Sequence, residues 1–183
     1  MTKISGAGGG APGRQASAPR PPRVAFDHPT QIAASTFLRA VSENDAAAIW
    51  EKLSRETRGL LEGLYAARSA VALQHAAGVE STVEDARLAE VVAPLRASVI
   101  SALGGAERMG GFGVSGARLV DRATAYVLLL SDFGDERIVA ESDWKPSHLL
   151  AFVHESREWL IDLGRTAELS SEAELPNPLG VTR

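Results

Sequence analysis

The sequence predicts an α+β domain in which N-terminal helices pack in a curved antiparallel sheet. Apolar residues recur at helical spacing through the first half of the chain. After Gly116 the pattern changes to short runs rich in Val, Leu and Tyr, separated by polar turns. The last two runs, 147–154 and 158–163, are joined by Glu155-Ser156-Arg157, which predicts a closing hairpin. Helices first and strands afterwards are typical of this fold class.

The chain divides into three parts by composition. Residues 1–26 consist largely of Gly, Ala, Pro, Ser and Arg, so burial could not offset the entropy of ordering them, and a disordered tail is expected. Residues 27–166 form the predicted domain. Residues 167–183 are polar and interrupted by proline, which predicts a flexible C-terminal tail.

Capping residues mark the predicted helices. Thr30 is expected to cap the first helix, Asp45 a short second helix and Ser54 the third. Ser81-Thr82-Val83-Glu84 fits a capping box at the start of a fourth helix. Pro94 should kink or split that helix, and Gly104-Gly105 should end it.

Five strands are predicted, at 117–120, 123–133, 137–141, 147–154 and 158–163. In the second strand, Val127 and Leu129 alternate with Tyr126, Leu128 and Leu130, so both of its faces are apolar. A strand of this kind is covered on both sides. The helices should supply one cover, and a partner subunit or another segment the other.

Charge and composition exclude several classes of function. The net charge is −4, and residues 1–26 carry four basic residues and no acid, so the rest of the chain stands at −8. An acidic domain gives no support for nucleic-acid binding. The absence of cysteine excludes disulfides and thiolate metal sites, and no apolar run is long enough to span a membrane. A cytoplasmic protein without membrane contact is the default expectation.

The segments 37–50 and 152–162 carry a resemblance to a known superfamily. The first, FLRAVSENDAAAIW, is a long helix, a polar break with Asp, and a second helix; the second, FVHESREWLID, is a strand, a polar turn and a Trp-x-Ile strand. Together they resemble the nuclear transport factor 2-like superfamily, also called the cystatin-like α+β roll. The resemblance covers about residues 30–164. It implies a curved sheet around a pocket and a homodimer formed through the sheet, but the superfamily contains both enzymes and binding modules, so fold does not decide function.

Two stretches resemble known motifs but lie in the wrong structural context for them. Gly111-Phe112-Gly113-Val114-Ser115-Gly116 matches G-x-G-x-x-G, but a helix precedes it and a strand follows, the reverse of a dinucleotide-binding loop. His154-Glu155-Ser156-Arg157-Glu158 resembles a zinc-protease string but falls on a hairpin turn. His148 and His154 lie roughly 20 Å apart on one strand at about 3.3 Å per residue, so they cannot share a metal. No metal and no cofactor are expected.

Four residues are the candidates for a pocket: Tyr65, Tyr126, Asp143 and His148. The leading hypothesis is a non-catalytic domain that binds a small apolar ligand or a protein partner. The alternative is an isomerase, dehydratase or hydrolase acting on a small hydrophobic substrate, with Asp143 or His148 as base and Tyr126 as hydrogen-bond donor. A third hypothesis is an adaptor whose basic tail, residues 1–26, docks on an acidic partner.

Overall fold

The computed structural model describes residues 28–69, 85–131 and 145–180. It shows a mixed fold of helices and a strongly curled antiparallel sheet that forms half of a barrel. The helices are α1 (Pro29–Glu43), α2 (Ala46–Glu51), α3 (Arg55–Ser69), α4 (Asp85–Ala102) and α5 (Leu163–Glu172), with a 3-10 helix at Ala106–Gly111. The strands are β1 (Gly113–Val114), β2 (Arg118–Leu119), β3 (Thr124–Ser131), β4 (Lys145–Glu155) and β5 (Glu158–Ile161). The prediction of an α+β fold is confirmed.

The N-cap of α1 is His28 and not the predicted Thr30, so the helix begins two residues earlier than predicted. The Thr30 amide donates to Nδ1 of His28 at 3.3 Å, and the His28 amide donates to the side chain of Gln31 at 3.2 Å. This reciprocal pair is a capping box. Pro29 occupies the first helical position, where its missing amide costs nothing.

Three other helix ends follow the predicted signals. Asp45 caps α2, accepting from the Ala48 amide at 3.0 Å, and Ser54 caps α3, accepting from the Thr57 amide at 3.1 Å. Gly104 and Gly105 follow α4 with φ of 79° and 120°, a conformation that glycine adopts without strain. The predicted capping box at 81–84 lies outside the residues whose structure is described.

Helix α4 is continuous through Pro94. Of the two expected outcomes, the split is therefore wrong, and the kink stays a prediction. Proline removes one amide from the helical ladder. Val91, Val92, Leu95 and Val99, on either side of it, are buried in the main core. Burial of the helical turns before and after Pro94 therefore stabilises the helix where the proline interrupts its hydrogen bonds.

The sheet has the strand order β1-β3-β4-β5, and β2 pairs with β3 on the same edge as β1. These strands pair antiparallel with one another, and an isolated parallel bridge joins Leu53 to Ile161 of β5. Strands β4 and β5 form the predicted closing hairpin, with Ser156 and Arg157 at its turn. The outer edge of β5 meets the segment before α3, since the Ser54 amide donates to the Ile161 carbonyl at 2.8 Å. The strand predicted at 137–141 lies outside the described residues.

A bulge at Ser147 shifts the pairing of β3 with β4. Leu129 pairs with His148, whereas its neighbour Leu130 pairs with Pro146, so Ser147 is the extra residue. Its hydroxyl donates to the Leu129 carbonyl at 3.1 Å. Because side chains alternate along a strand, this extra residue places Pro146 and His148 on opposite faces of the sheet.

The two faces of the sheet pack against different parts of the chain. The inner face carries Val127, Leu129, Leu150 and Phe152 into a core that it shares with α1, α2, α3 and α4. The outer face carries Leu128, Leu149 and Ala151, which pack with the partly buried residues Tyr126, Leu130, Leu169 and Leu175. The second cover of β3 is thus another segment of the same chain, as one of the two predicted alternatives had it.

The region after residue 166 differs from the flexible tail predicted for 167–183. Helix α5 runs to Glu172, and the chain then returns to the helical side, where Leu179 is 1% exposed and belongs to the main core. The Ser98 hydroxyl of α4 donates to the Gly180 carbonyl. Ordered packing therefore continues to residue 180. The predicted tail at 1–26 lies outside the described residues.

Within the described part of the chain, no helix has both the length and the apolar character needed to cross a membrane.

Candidate functional site

The space between the sheet and the N-terminal helices is filled with side chains. Phe37 of α1, Leu53, Leu129 of β3 and Phe152 of β4 are all fully buried there. These large apolar groups interdigitate as a packed core does. The pocket expected under the sheet is therefore not found on this face among the described residues.

A groove lies on the other face, between the sheet and α5. Its volume is about 820 Å³. It is lined by Arg118, Leu119, Val120, Tyr126, Leu128, Pro146, Leu149, Leu169, Glu172, Ala173 and Leu175. Binding sites for small molecules commonly have volumes of about 300–1,000 Å³, mostly apolar walls and a few polar groups. The groove, called the outer groove below, fits that description.

Large apolar side chains are exposed at the rim of the outer groove. Leu119 is 65% exposed and Val120 is 52% exposed. They lie at and just after β2, which pairs with β3 at one edge of the sheet. Inside the groove, Leu128 and Leu149 are 8% and 2% exposed. The apolar surface thus runs continuously from a buried floor to an open rim.

Tyr126, one of the four sequence-predicted residues, lines the outer groove. It pairs directly with Arg118 across the β2–β3 ladder. Side chains of directly opposed residues project from the same face of a sheet. The phenol and the guanidinium are therefore the adjacent polar groups of this wall.

His148 lies on the inner face, away from the outer groove. It is 4% exposed, and its Nδ1 is 3.1 Å from the Ser147 hydroxyl. Its ring meets the Phe112 ring edge-on, with centroids 6.4 Å apart. Burial lowers the pKa of His148 below the ordinary value of 6.5, because the charged imidazolium loses solvation.

The remaining two candidates are elsewhere. Tyr65 is half-buried on α3, where its hydroxyl donates to Glu90 of α4 at 3.3 Å and the Arg87 guanidinium lies 5.9 Å from its ring centroid. This hydrogen bond joins α3 to α4. Asp143 lies outside the described residues. The structure thus places Tyr65, Tyr126 and His148 at three separate locations.

A buried polar cluster links the starts of α3 and α5. The Ser54 hydroxyl donates to Oδ2 of Asp162 at 2.6 Å, and the Arg165 amide donates to Oδ1 of Asp162 at 2.8 Å. Ser54 and Asp162 are the caps of the two helices and are 0% and 3% exposed. Both carboxylate oxygens are thus satisfied by the protein itself. The cluster holds the starts of α3 and α5 together.

Two histidines flank Trp159 near the start of α1. The ring centroids of His28 and His154 lie 5.2 Å and 5.0 Å from that of Trp159. No group of three or more His, Asp or Glu side chains in the described ranges could hold a metal ion. The string 154–158 falls on the β4–β5 hairpin, as predicted. In the stretch 111–116, strand β1 follows a 3-10 helix and no helix follows the glycines.

Of the residues that line the outer groove, sequence reasoning nominated only Tyr126; those it missed include Arg118, Leu169, Glu172 and Leu175. The last three fall in the segment predicted to be a flexible tail. One signal could have found α5: Leu163, Thr166 and Ser170, which are buried, recur at i, i+3 and i+7 after the capping residue Asp162. Arg118 could be assigned to the groove only from its register opposite Tyr126.

Comparisons with protein-family models, with curated proteins and with solved structures found no match.

Proposed function

We propose that this protein is a non-catalytic binding domain that holds a small apolar ligand in the outer groove. The observation that carries the proposal is the groove itself: about 820 Å³, an apolar floor and exposed apolar residues at the rim. Exposed apolar side chains around a concave, apolar floor are typical of a ligand-binding groove, whereas apolar residues scattered singly over a surface are not. The proposal includes the finer fold assignment, a cystatin-like roll of the nuclear transport factor 2-like type, supported by the helix order and the curled sheet.

Catalysis by the predicted residues gains no support from the geometry. An acid or base must lie within hydrogen-bond reach of the reacting group, together with the donor that stabilises developing charge. Tyr126 and His148 project from opposite faces of the sheet, so they cannot contact one substrate. The other predicted base, Asp143, lies outside the described residues, and its pairing with Tyr126 stays a prediction. Tyr126 therefore enters the proposal as part of a binding wall.

A titration with Nile red, a neutral apolar dye, tests the proposal. We expect saturable binding with a rise in fluorescence. Leu119→Gln at the rim should weaken it about fivefold to tenfold, since losing part of a leucine contact costs about 1 kcal/mol. The matched control is Leu60→Gln on α3, because Leu60 is also exposed, at 44%, but does not line the groove.

Two results would contradict the ligand-binding proposal. One is the absence of saturable binding by the unaltered chain. The other is an equal loss of affinity in Leu119→Gln and Leu60→Gln, which would place the dye away from the outer groove.

The homodimer expected through the sheet stays a prediction. Helix α5 packs on β4, so a second copy would contact the outer face on the β2 side, where Leu119 and Val120 are exposed. Sedimentation equilibrium checks it: a single monomeric species over the accessible concentration range would exclude the dimer.

A further inference from the structure

The outer groove has two charged lining residues, Arg118 and Glu172. Arg118 is exposed on β2, and Glu172 is the last residue of α5. Neither side chain forms an ion pair or a hydrogen bond with another described residue. The ion pair on α5 joins Arg165 and Glu168, which do not line the groove. Both charges are therefore available to a ligand that fills the groove.

The two charges differ in what accompanies them. Arg118 has the Tyr126 phenol directly opposite across the ladder, and Cβ atoms of such pairs lie about 4.5–5.5 Å apart. A guanidinium presents its donors as a planar fork that matches a carboxylate, and the phenol can donate a further bond. Glu172 has no second acceptor side chain beside it in the lining. Arg118 and Tyr126 thus supply donor groups from neighbouring positions of one wall, which favours an anionic group there over a cationic one.

We propose that the ligand is an amphipathic carboxylate. Its carboxylate pairs with Arg118 and accepts from the Tyr126 hydroxyl, and its hydrocarbon part lies against Leu128, Leu149 and Leu169. This inference rests on the proposed function and specifies it: ligand binding alone requires only the apolar walls, whereas the carboxylate requires Arg118.

Isothermal titration calorimetry of the full chain with three ligands of equal chain length tests the inference. The ligands are decanoate, decanol and decylammonium, each below its micelle concentration. We expect decanoate to bind about tenfold more tightly than decanol, as a charge-assisted bidentate pair allows. Arg118→Gln should abolish this preference, so that the variant binds decanoate no more tightly than decanol. Arg122→Gln is the matched control, since Arg122 is exposed nearby but does not line the groove.

The other possible results of these titrations distinguish failure of the carboxylate inference from failure of the proposed function. Equal affinities for decanoate and decanol would overturn the carboxylate inference and leave the proposed function standing. Tightest binding of decylammonium, or a decanoate preference that survives Arg118→Gln, would also overturn it. Binding of none of the three ligands would overturn the proposed function together with the inference. Unchanged circular dichroism spectra show that the variants remain folded.

Discussion

The buried carboxylate of Asp162 caps α5 and also accepts a hydrogen bond from Ser54, the cap of α3. In Asp162→Ala, the Arg165 amide loses its acceptor, and loss of an N-cap costs about 1 kcal/mol. The buried Ser54 hydroxyl also loses its 2.6 Å partner, and an unsatisfied buried donor costs about 1–3 kcal/mol. Thr57 Oγ1, 2.9 Å from the Ser54 hydroxyl, can accept in its place, so the lower end of that range applies. We expect a total loss of about 2–3 kcal/mol.

The chain provides a matched control for this substitution. Asp45 is also an aspartate N-cap, accepting from the Ala48 amide at 3.0 Å, but it is exposed and accepts no side-chain bond among the described residues. Asp45→Ala should therefore cost the capping contribution alone, about 1 kcal/mol. Urea unfolding followed by circular dichroism gives both free energies under identical conditions.

A double-mutant cycle isolates the bond between Ser54 and Asp162. Because the two side chains share one hydrogen bond, Ser54→Ala and Asp162→Ala should be coupled by about 0.5–3 kcal/mol. Strict additivity would refute the reasoning. So would equal costs for Asp162→Ala and Asp45→Ala, since burial and the second bond would then contribute nothing.

Three further predictions concern the C-terminal segment, the hairpin and the buried histidine. Leu179→Ala should lower the free energy of unfolding by about 2–5 kcal/mol, as for a buried leucine, and a loss below about 1 kcal/mol in urea unfolding would contradict the packing described here. Ser156 and Arg157 have φ of 48° and 73°, so Ser156→Asn with Arg157→Gly should raise stability by about 1 kcal/mol; an unchanged melting temperature would exclude strain at this turn. Burial lowers the pKa of His148 in the folded state, so below pH 6.5 the unfolded chain binds a proton that the folded chain does not, and stability should fall as the pH decreases. Replacing His148 with Gln should reduce the loss of stability seen in urea unfolding between about pH 7.5 and about pH 5.5, and an equal loss in both proteins would count against it.

The parts of the fold that depend on neighbours in sequence could be predicted from sequence. Asp45 and Ser54 cap α2 and α3 as expected, because a cap needs only a short polar side chain and an amide three residues later. His28 was missed because histidine is an uncommon cap. It accepts through Nδ1, and the geometry depends on Gln31 bonding back to its amide.

The C-terminal packing could not be predicted, because each of its apolar contacts is made with a distant element. Leu169 and Leu175 cover the outer face of the sheet, while Leu179 enters the main core on the opposite side. These residues are separated by polar and proline positions and share no helical or strand period. Their burial depends on how the chain passes around the sheet, which the local sequence does not specify.

The outer groove depends on strand register, a tertiary property that individual strands do not specify. In a regular β4, Pro146 and His148 would project from the same face, since they are two residues apart. The bulge at Ser147 breaks this parity, so Pro146 joins Leu149 in the groove while His148 enters the core beside Leu129. The pairing of Arg118 with Tyr126 across β2 and β3 likewise places these two polar residues next to each other in the wall of the groove. Sequence could therefore nominate Tyr126 and His148 as separate candidates, but only the pairing of the strands decides that Tyr126 shares a wall with Arg118 and that His148 does not.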